Sequence, residues 1–589
     1  MSSENSQKVT YIGKVDYRDK SLTFGIKEND RTRHTYIIGK TGMGKSVLLE
    51  NLAIQDIQNG EGVCFMDPHG SAAEKLLNFI PEHRVKDVIY FAPFDTEHPM
   101  GLNVLEQVEP SKRHLVANGL MSAFKKVFGE ERFSDRIQYI LNNIILALLE
   151  NEGQSLLGVN RMLTDKDYRK FIISNVKDPS VKSFWEEEFA KAGDKYQQEA
   201  APGIQNKIGQ FTSNPLIRNI IGQKRTSFNV REVMDQKKIL IVNLSKGKVG
   251  EGNADLIGSL LITKIYLAAM SRADAGADEL EKMPPFYFYV DEFQNFANES
   301  FASILSEARK YHLALTVAHQ YIDQMEDDVK AAVFGNVGTM ITFRVGATDA
   351  EIFEKEFAPY FILDDIVNLS AYQIYLRLMI DGVGSKPFSA RTLPPIEKPE
   401  RSYEQEVIAN SRKLYSHNVF DVEEEVKEFY RPKHKIETSV PMDGVAVKVK
   451  EDKYIPAKNY NEPKYDNNKK FYPVSRDKSY IKEAVSVMPT EEKKKYEKNK
   501  EDTRHDTHSR ESETKKVLFE DKPALSLKDA LAKALGTREQ EKGDKKKEEI
   551  QNKHIQHLPN PPKRYTTEAV DTPKKEVPKD VLLKIIGED

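Results

Sequence analysis

The chain has 589 residues, more than a single hydrophobic core normally supports, so we expect two or three structural units. Its 88 Lys and Arg residues against 91 Asp and Glu residues give a formal charge of −3, which excludes a globally basic nucleic-acid coat protein. Because Cys64 is the one cysteine, an intramolecular disulfide is also excluded, and the composition suits a reducing compartment.

The amino-terminal sequence MSSENSQKVTYIGK has no apolar core of signal-peptide length. The longest apolar runs are interrupted by Asn142, Asn143 and Lys264, so neither has the roughly 20 unbroken apolar residues of a membrane-spanning helix. We therefore expect a cytoplasmic protein without a direct membrane span.

Short runs rich in β-branched and aromatic residues predict strands at 35–39, 62–67, 87–92, 238–244, 285–291, 313–318 and 339–345. Most of these runs are continuously apolar, as expected of strands that are covered on both faces. Segments with helical spacing follow several of them. This alternation predicts an α/β fold with a mostly parallel sheet flanked by helices.

The first of these strands leads directly into GKTGMGKS, which is followed by the start of a helix. This is a complete phosphate-binding loop: its glycines let the backbone approach phosphates closely, and its N–H groups and the helix N-terminus face the anion. Lys45 is expected to reach the outer phosphates and the Ser46 hydroxyl to bind magnesium. We predict ATP contacts from Gly39, Lys40, Thr41, Gly42, Met43, Gly44, Lys45, Ser46 and Val47.

The pattern changes after the third predicted strand. Between 105 and 235 it shows helical spacing with few strand signals, which predicts an all-α insertion that divides the core into 1–104 and 236–395. A helical extension is expected at 396–440. From 441 to 589 charged residues dominate, and we predict a largely disordered tail in which 525–535 and 578–589 could fold on a partner.

The apolar run of the predicted strand at 285–291 leads into two acidic residues. The run FYFYV precedes Asp291 and Glu292, which places both carboxylates at the carboxyl end of a buried strand, where open α/β sheets bind ligands. Hydrolysis needs a carboxylate near the metal and a base near the attacking water. We therefore predict that Asp291 holds Mg²⁺ through water and that Glu292 orients or deprotonates the attacking water.

The next buried strand ends at Gln320, which should lie at the same edge of the sheet and contact the γ-phosphate or the water. Arg309 lies on the preceding helix. A helical arginine is usually a solvated surface charge, but in a ring it could reach the γ-phosphate of a neighbouring subunit.

Together these motifs resemble the HerA–FtsK superfamily of hexameric DNA-pumping ATPases, most closely the TraD/TraG-type coupling proteins of conjugation and type IV secretion. The segments that carry the resemblance are GKTGMGKS, VCFMDPHG, FYFYVDEFQNFA, SEARKY with AHQ, and the stretch from Gly335 to Ala350. They lie within about residues 20–395.

The resemblance implies a RecA-like P-loop NTPase core with an all-α domain inserted in it, and a homo-hexamer with DNA in its central pore. It makes Gln320 a sensing glutamine and Arg309 a trans-acting arginine finger, with Arg344 as the second possibility for that role. It also implies secretion or relaxase partners bound through the tail. Secretion coupling proteins usually carry amino-terminal membrane helices, so this chain resembles a soluble variant, or one recruited to the membrane by another protein.

The leading interpretation is an ATP-driven DNA translocase. Three alternatives remain open at this stage: a recombination or DNA-end-processing motor that works with a nuclease, a protein-secreting ATPase, and a nucleotide-gated adaptor that recruits partners through its tail. The cargo, the direction of movement and the preference for single- or double-stranded DNA do not follow from the sequence.

Overall fold

The structure, a computed structural model, describes residues 8–431 apart from 18–19, 107, 130, 132, 192–200 and 298. The tail expected at 441–589, with its two predicted partner-binding segments, lies outside the described residues. The same is true of 432–440, the end of the predicted helical extension. Earlier in that extension, helices form at Glu404–Tyr415 and Val419–Tyr430, where helical spacing predicts them.

The core is an eleven-stranded sheet with the order β2-β1-β13-β10-β9-β3-β8-β7-β4-β6-β5. Its last seven strands, from β9 to β5, are parallel to one another. They are the seven strands that the apolar runs predict, and the predicted α/β fold is confirmed. The strand bounds are β1 Val9–Tyr17, β2 Lys20–Lys27, β3 Thr35–Ile38, β4 Gly62–Asp67, β5 Val88–Phe91, β6 Ile239–Asn243, β7 Phe286–Val290, β8 Leu313–His319, β9 Thr339–Thr342, β10 Gln373–Arg377, β11 Met379–Ile380, β12 Val383–Gly384 and β13 Phe388–Thr392.

The parallel strands are buried on both faces because helices cover each side of the sheet. In β7, Phe286, Phe288 and Val290 belong to one apolar cluster, whereas Tyr287 and Tyr289 belong to the other. Side chains of a strand alternate between the two faces, so a strand with both faces covered is apolar at most of its positions. This explains why the continuous runs in the sequence are such clear strand signals.

The four antiparallel strands β2, β1, β13 and β10 extend the sheet beyond β9, and the sequence reasoning missed all of them. Only one residue in two is apolar in these strands. In β10, for example, Ile374 and Leu376 are buried while Gln373 is exposed. An alternating strand five residues long carries little signal in a charged sequence. The extension matters for the site because β10 begins beside the phosphate loop.

The helices that cover the sheet begin and end at the following residues: Glu28–Arg31, Lys45–Gln58, Ser71–Leu77, Lys246–Val249, Glu251–Met270, Ala277–Leu280, Glu299–Glu307, Asp327–Asn336, Ala347–Phe357 and Leu363–Val367. Between β5 and β6 the described residues contain helices and no strand, in agreement with the predicted all-α insertion. These helices are Arg113–Phe128, Asp135–Leu149, Gly158–Thr164, Lys166–Ser174, Pro179–Ser183, Ala201–Ser213, Pro215–Ile221 and Val230–Asp235, with a π-helical turn at Phe184–Phe189. Their apolar faces join the cluster on one side of the sheet.

Proline and capping residues set the starts of two insertion helices. Pro179 and Pro215 are each preceded by a side chain, Asp178 or Asn214, that accepts a hydrogen bond from the first turn. Proline suits the first position because its missing N–H would have no helical partner there. These two prolines therefore mark the starts of their helices.

One helical segment of the described chain, 251–275, is long and apolar enough to cross a membrane by length and composition. However, 61% of its most apolar window is buried inside the protein. Helix Glu251–Met270 packs against helix Arg113–Phe128 in the core, which accounts for its apolar character. Cys64 is likewise part of the core: it is fully buried in β4, and burial raises the pKa of its thiol well above the usual value.

Candidate active site

The phosphate loop lies between the end of β3 and helix Lys45–Gln58. Gly42 and Gly44 have φ of 79° and 115°, a region that glycine enters without the strain other residues would incur. Gly39 is needed for a different reason: a Cβ there would lie 2.5 Å from Cβ of Phe343. The loop therefore has the backbone shape that its glycine spacing predicts.

Lys45, the first residue of that helix, is buried and turns back over the loop. Its Nζ donates a hydrogen bond of 2.6 Å to the Gly39 carbonyl. Burial lowers the pKa of Lys45, while the negative charges of Glu292 and Asp291 act in the opposite direction. Its ammonium group therefore lies within the electrostatic reach of both predicted carboxylates.

Two stretches almost 250 residues apart meet at this point. The Ser46 hydroxyl donates a hydrogen bond of 3.2 Å to Oδ2 of Asp291, which follows β7 directly. The Asp291 side chain is buried, and burial together with the charges of Glu292 and Asp67 raises its pKa to about 6. The carboxyl ends of β3 and β7 thus bring the loop and the acidic pair together, as the sequence predicts.

A magnesium ion fits these groups. A hydroxyl and a carboxylate are oxygen ligands of the kind Mg²⁺ prefers, and they already face each other. The buried negative charge around Asp291 also favours a cation. In the described part of the chain, no cluster of three or more His, Cys, Asp and Glu side chains could enclose a metal. Mg²⁺ is usually held by one or two protein carboxylates together with waters and substrate phosphates.

Glu292 is held in a special conformation beside Asp291. It is buried, with φ of 46° and ψ of 50°, a left-handed backbone that is uncommon for a residue with a side chain. Its N–H donates to Oδ1 of Asp291 at 2.9 Å. Strained residues of this kind cluster at functional sites, so the geometry favours a chemical role for Glu292.

A chain of side-chain hydrogen bonds connects the loop to Glu292. Thr41 Oγ1 donates to Oε1 of Gln320 at 3.1 Å, and Nε2 of Gln320 donates to Oε1 of Glu292. The other carboxylate oxygen of Glu292 accepts from Nε2 of Gln294 at 2.7 Å. The carboxylate of Glu292 therefore accepts hydrogen bonds from two side-chain amides, and one of these amides, that of Gln320, is also hydrogen-bonded to Thr41 of the loop.

The two arginines lie at opposite edges of the sheet. Arg344 follows β9, and its carbonyl accepts a hydrogen bond of 2.8 Å from the Lys40 N–H, so it lies beside the loop of its own chain. Arg309 precedes β8 and is exposed. Because Gln320 follows β8, a strand of seven residues or about 23 Å separates Arg309 from the site. The structure brings together every predicted site residue except Arg309.

Three residues near the site were not singled out from the sequence. Gln294 binds Glu292, and Asp67 adds negative charge beside Asp291 while capping helix Ser71–Leu77 through the Ala72 and Ala73 N–H groups. Tyr372 lies against Gly44. For Asp67 a signal existed, since it ends a buried strand in the same way as Asp291. Gln294 lies in the 3-10 turn Phe293–Asn295 and Tyr372 in the turn before β10, and neither position directly follows a buried strand as Asp291 does.

Solved structures with a related fold include two of the plasmid coupling protein TrwB. The chain is 16% identical to TrwB in complex with ADP and Mg²⁺, covering 68% of this chain and 98% of that one with a TM-score of 0.48. It is 15% identical to TrwBΔN70 in complex with sulphate, and the match covers 68% of this chain and 97% of that one with a TM-score of 0.49. It is 16% identical to VirB4 of Thermoanaerobacter pseudethanolicus, and that match covers 69% of this chain and 99% of VirB4 with a TM-score of 0.44.

Among curated proteins, no sequence matches the chain. A family model does: the type IV secretion-system coupling protein DNA-binding domain matches residues 22–359. The match begins before the phosphate loop and ends beyond Arg344, so it includes every predicted site residue and the helical insertion. It also spans more than half of the chain. The chain therefore belongs to the family of type IV secretion-system coupling proteins.

Proposed function

We propose that the protein is an ATP-driven motor that moves DNA, working as a homo-hexamer in the cytoplasm, with secretion or relaxase partners at the membrane. The observation that carries the proposal is the convergence of Lys45 and Ser46 with Asp291, Glu292 and Gln320 at one edge of the sheet. Phosphoryl transfer to water depends on positioning and charge stabilisation, and these residues supply both. The family's DNA-binding domain supports DNA as the partner.

In this mechanism the loop N–H groups and Lys45 bind the triphosphate. Ser46 would bind Mg²⁺ directly and Asp291 would hold it through water, and the ion would neutralise charge on the phosphates. Glu292 accepts the proton of the attacking water, since its buried carboxylate lies beside Gln320 at the end of the site. Gln320 exchanges its bond to Glu292 for one to the γ-phosphate, so nucleotide binding frees the base. The water then attacks in line with the departing ADP oxygen.

The proposal is tested by ATP turnover with no DNA, single-stranded DNA or double-stranded DNA, on protein whose oligomeric state has been measured. We expect DNA to increase turnover, and the increase to shrink as salt rises, because phosphate contacts release counterions. The Lys45→Ala protein is the control, because any ATP turnover that it shows comes from contaminating enzymes. Turnover that does not respond to either DNA at any salt concentration would contradict the DNA motor.

We also propose that Arg309 acts on the site of a neighbouring subunit. It lies at the amino-terminal edge of the sheet with His34, whose pKa is lowered to about 4 by burial and by the nearby Arg309 charge. It cannot reach the site of its own chain without crossing the length of β8. Arg344 lies next to its own loop. We therefore assign Arg309 the action in trans and Arg344 an action in cis.

Mixed rings test this assignment. Rings made only of Arg309→Ala subunits or only of Lys45→Ala subunits should be nearly inactive. Mixing the two should restore turnover, because an Arg309→Ala subunit keeps an intact loop and receives Arg309 from a Lys45→Ala neighbour. Mixing Arg344→Ala with Lys45→Ala is the matched control and should restore nothing. Recovery in the control, or none in the test mixture, would reverse the assignment.

A further inference from the structure

Tyr372 directly precedes β10, and its ring lies against the phosphate loop. A Cβ on Gly44 would be 2.8 Å from Cδ1 of its ring. The Tyr372 N–H donates to the Met43 carbonyl at 3.0 Å, and its own carbonyl accepts from the Thr392 N–H at 2.9 Å. The side chain is nevertheless 42% exposed. The backbone is therefore fixed to the loop and to β13, while much of the ring faces solvent.

The backbone of Tyr372 is unfavourable for a residue of this size. Its φ is 66°, in the left-handed region, where a bulky side chain is a genuine outlier. Glycine would adopt this conformation freely, yet the position holds an aromatic residue. Glu292, at the same edge of the sheet, is another residue with a side chain and a positive φ. Residues with this kind of strain cluster at functional sites, where the surrounding structure holds them in place.

The order of the strands shows what the ring would meet. The residues that surround the γ-phosphate follow β7 and β8, on one side of β3. On the other side come β9 and then β10, two strand spacings or about 10 Å from β3. A nucleotide whose γ-phosphate points toward Glu292 must extend its nucleoside in the opposite direction. Tyr372 lies on that side, at the same edge of the sheet.

We propose that the Tyr372 ring is the platform on which the base of the bound nucleotide stacks, an inference that rests on the proposed nucleotide site. A base presents a π-face to such a ring whatever its hydrogen-bonding edge, so this contact supplies affinity with little selectivity between bases. The strained backbone and its two hydrogen bonds hold the ring in place before the nucleotide arrives.

The test compares two ligands on the full-length protein, Mg·ATP and Mg·tripolyphosphate, which lacks the base and sugar. Tyr372→Gly removes the ring and suits the positive φ. We expect it to weaken ATP binding about 10-fold or more, from the strength of base–aromatic stacking, and to weaken GTP binding similarly. Tripolyphosphate binding should not change. Tyr372→Phe, which keeps the ring, should bind ATP far more tightly than Tyr372→Gly.

Each other outcome has a distinct meaning. Equal loss for ATP and tripolyphosphate would show that the ring shapes the loop and does not hold the base, and this overturns the inference. Wild-type ATP affinity in Tyr372→Gly also overturns it, and both results leave the proposed function intact. Lys45→Ala should lose both ligands. If it binds both as the wild type does, the nucleotide site itself is wrong.

Discussion

Glu292→Gln protein should bind ATP as the wild type does and hydrolyse it about 100-fold to 10,000-fold more slowly, the usual contribution of a general base. The change keeps the size of the side chain. Its amide oxygen can still accept from Gln320, and its NH2 group can donate to Oε1 of Gln294 once the Gln294 amide turns over. The change removes only the ability to take a proton. Binding of a fluorescent ATP analogue and single-turnover hydrolysis measure the two effects separately.

The matched control is Glu281→Gln. Glu281 is exposed and precedes β7, so it lies at the opposite edge of the sheet from Glu292. This control loses the same charge at a distance from the site and should hydrolyse ATP normally. Turnover at the wild-type rate in Glu292→Gln would show that another group activates the water.

Lys45→Ala protein should lose ATP binding by at least about 10-fold, the lower end of what hydrogen bonds to charged groups contribute. Lys45 is the buried cation of the loop, and it faces the negative charges of Asp291 and Glu292. Without it, those carboxylates and Asp67 would repel the incoming phosphates with no positive side chain between them. Titration with a fluorescent ATP analogue measures the loss.

Lys355→Ala is the control for this loss of charge, because Lys355 is an exposed lysine on helix Ala347–Phe357. It should bind ATP as the wild type does. ATP affinity that survives unchanged in Lys45→Ala would mean that the nucleotide does not bind at this loop, and the assigned site would be wrong.

The parallel half of the sheet could be predicted because burial on both faces favours apolar residues at most positions of a strand. All seven of its strands, including β7 with five apolar residues in succession, follow from this rule. The antiparallel half could not be predicted in the same way. In β10 and β13 exposed or half-buried residues alternate with apolar ones, and their pairing is set by contacts distant in sequence.

Prediction of the site was limited by whether its residues lie in motifs. Lys45, Ser46, Asp291 and Glu292 belong to contiguous motifs at strand ends, and the topology of a parallel sheet brings such ends together. Gln294 lies within the segment FYFYVDEFQNFA, but its contact with Glu292 depends on the conformation of the turn Phe293–Asn295, and Tyr372 lies in a turn outside the motifs. The series of side-chain hydrogen bonds from Thr41 through Gln320 to Glu292 could not be predicted either, because it forms only when the strands that carry these residues come together.

The burial of Cys64 in β4 has a practical consequence. The chain's one thiol is buried inside the sheet and protonated. Maleimide dyes and thiol-specific spin labels should therefore not react with the wild-type protein. A single engineered cysteine on the surface would then be the one reactive position per subunit. If the subunits assemble into the proposed ring, distances between labels on different subunits become measurable without first removing a native residue from the core.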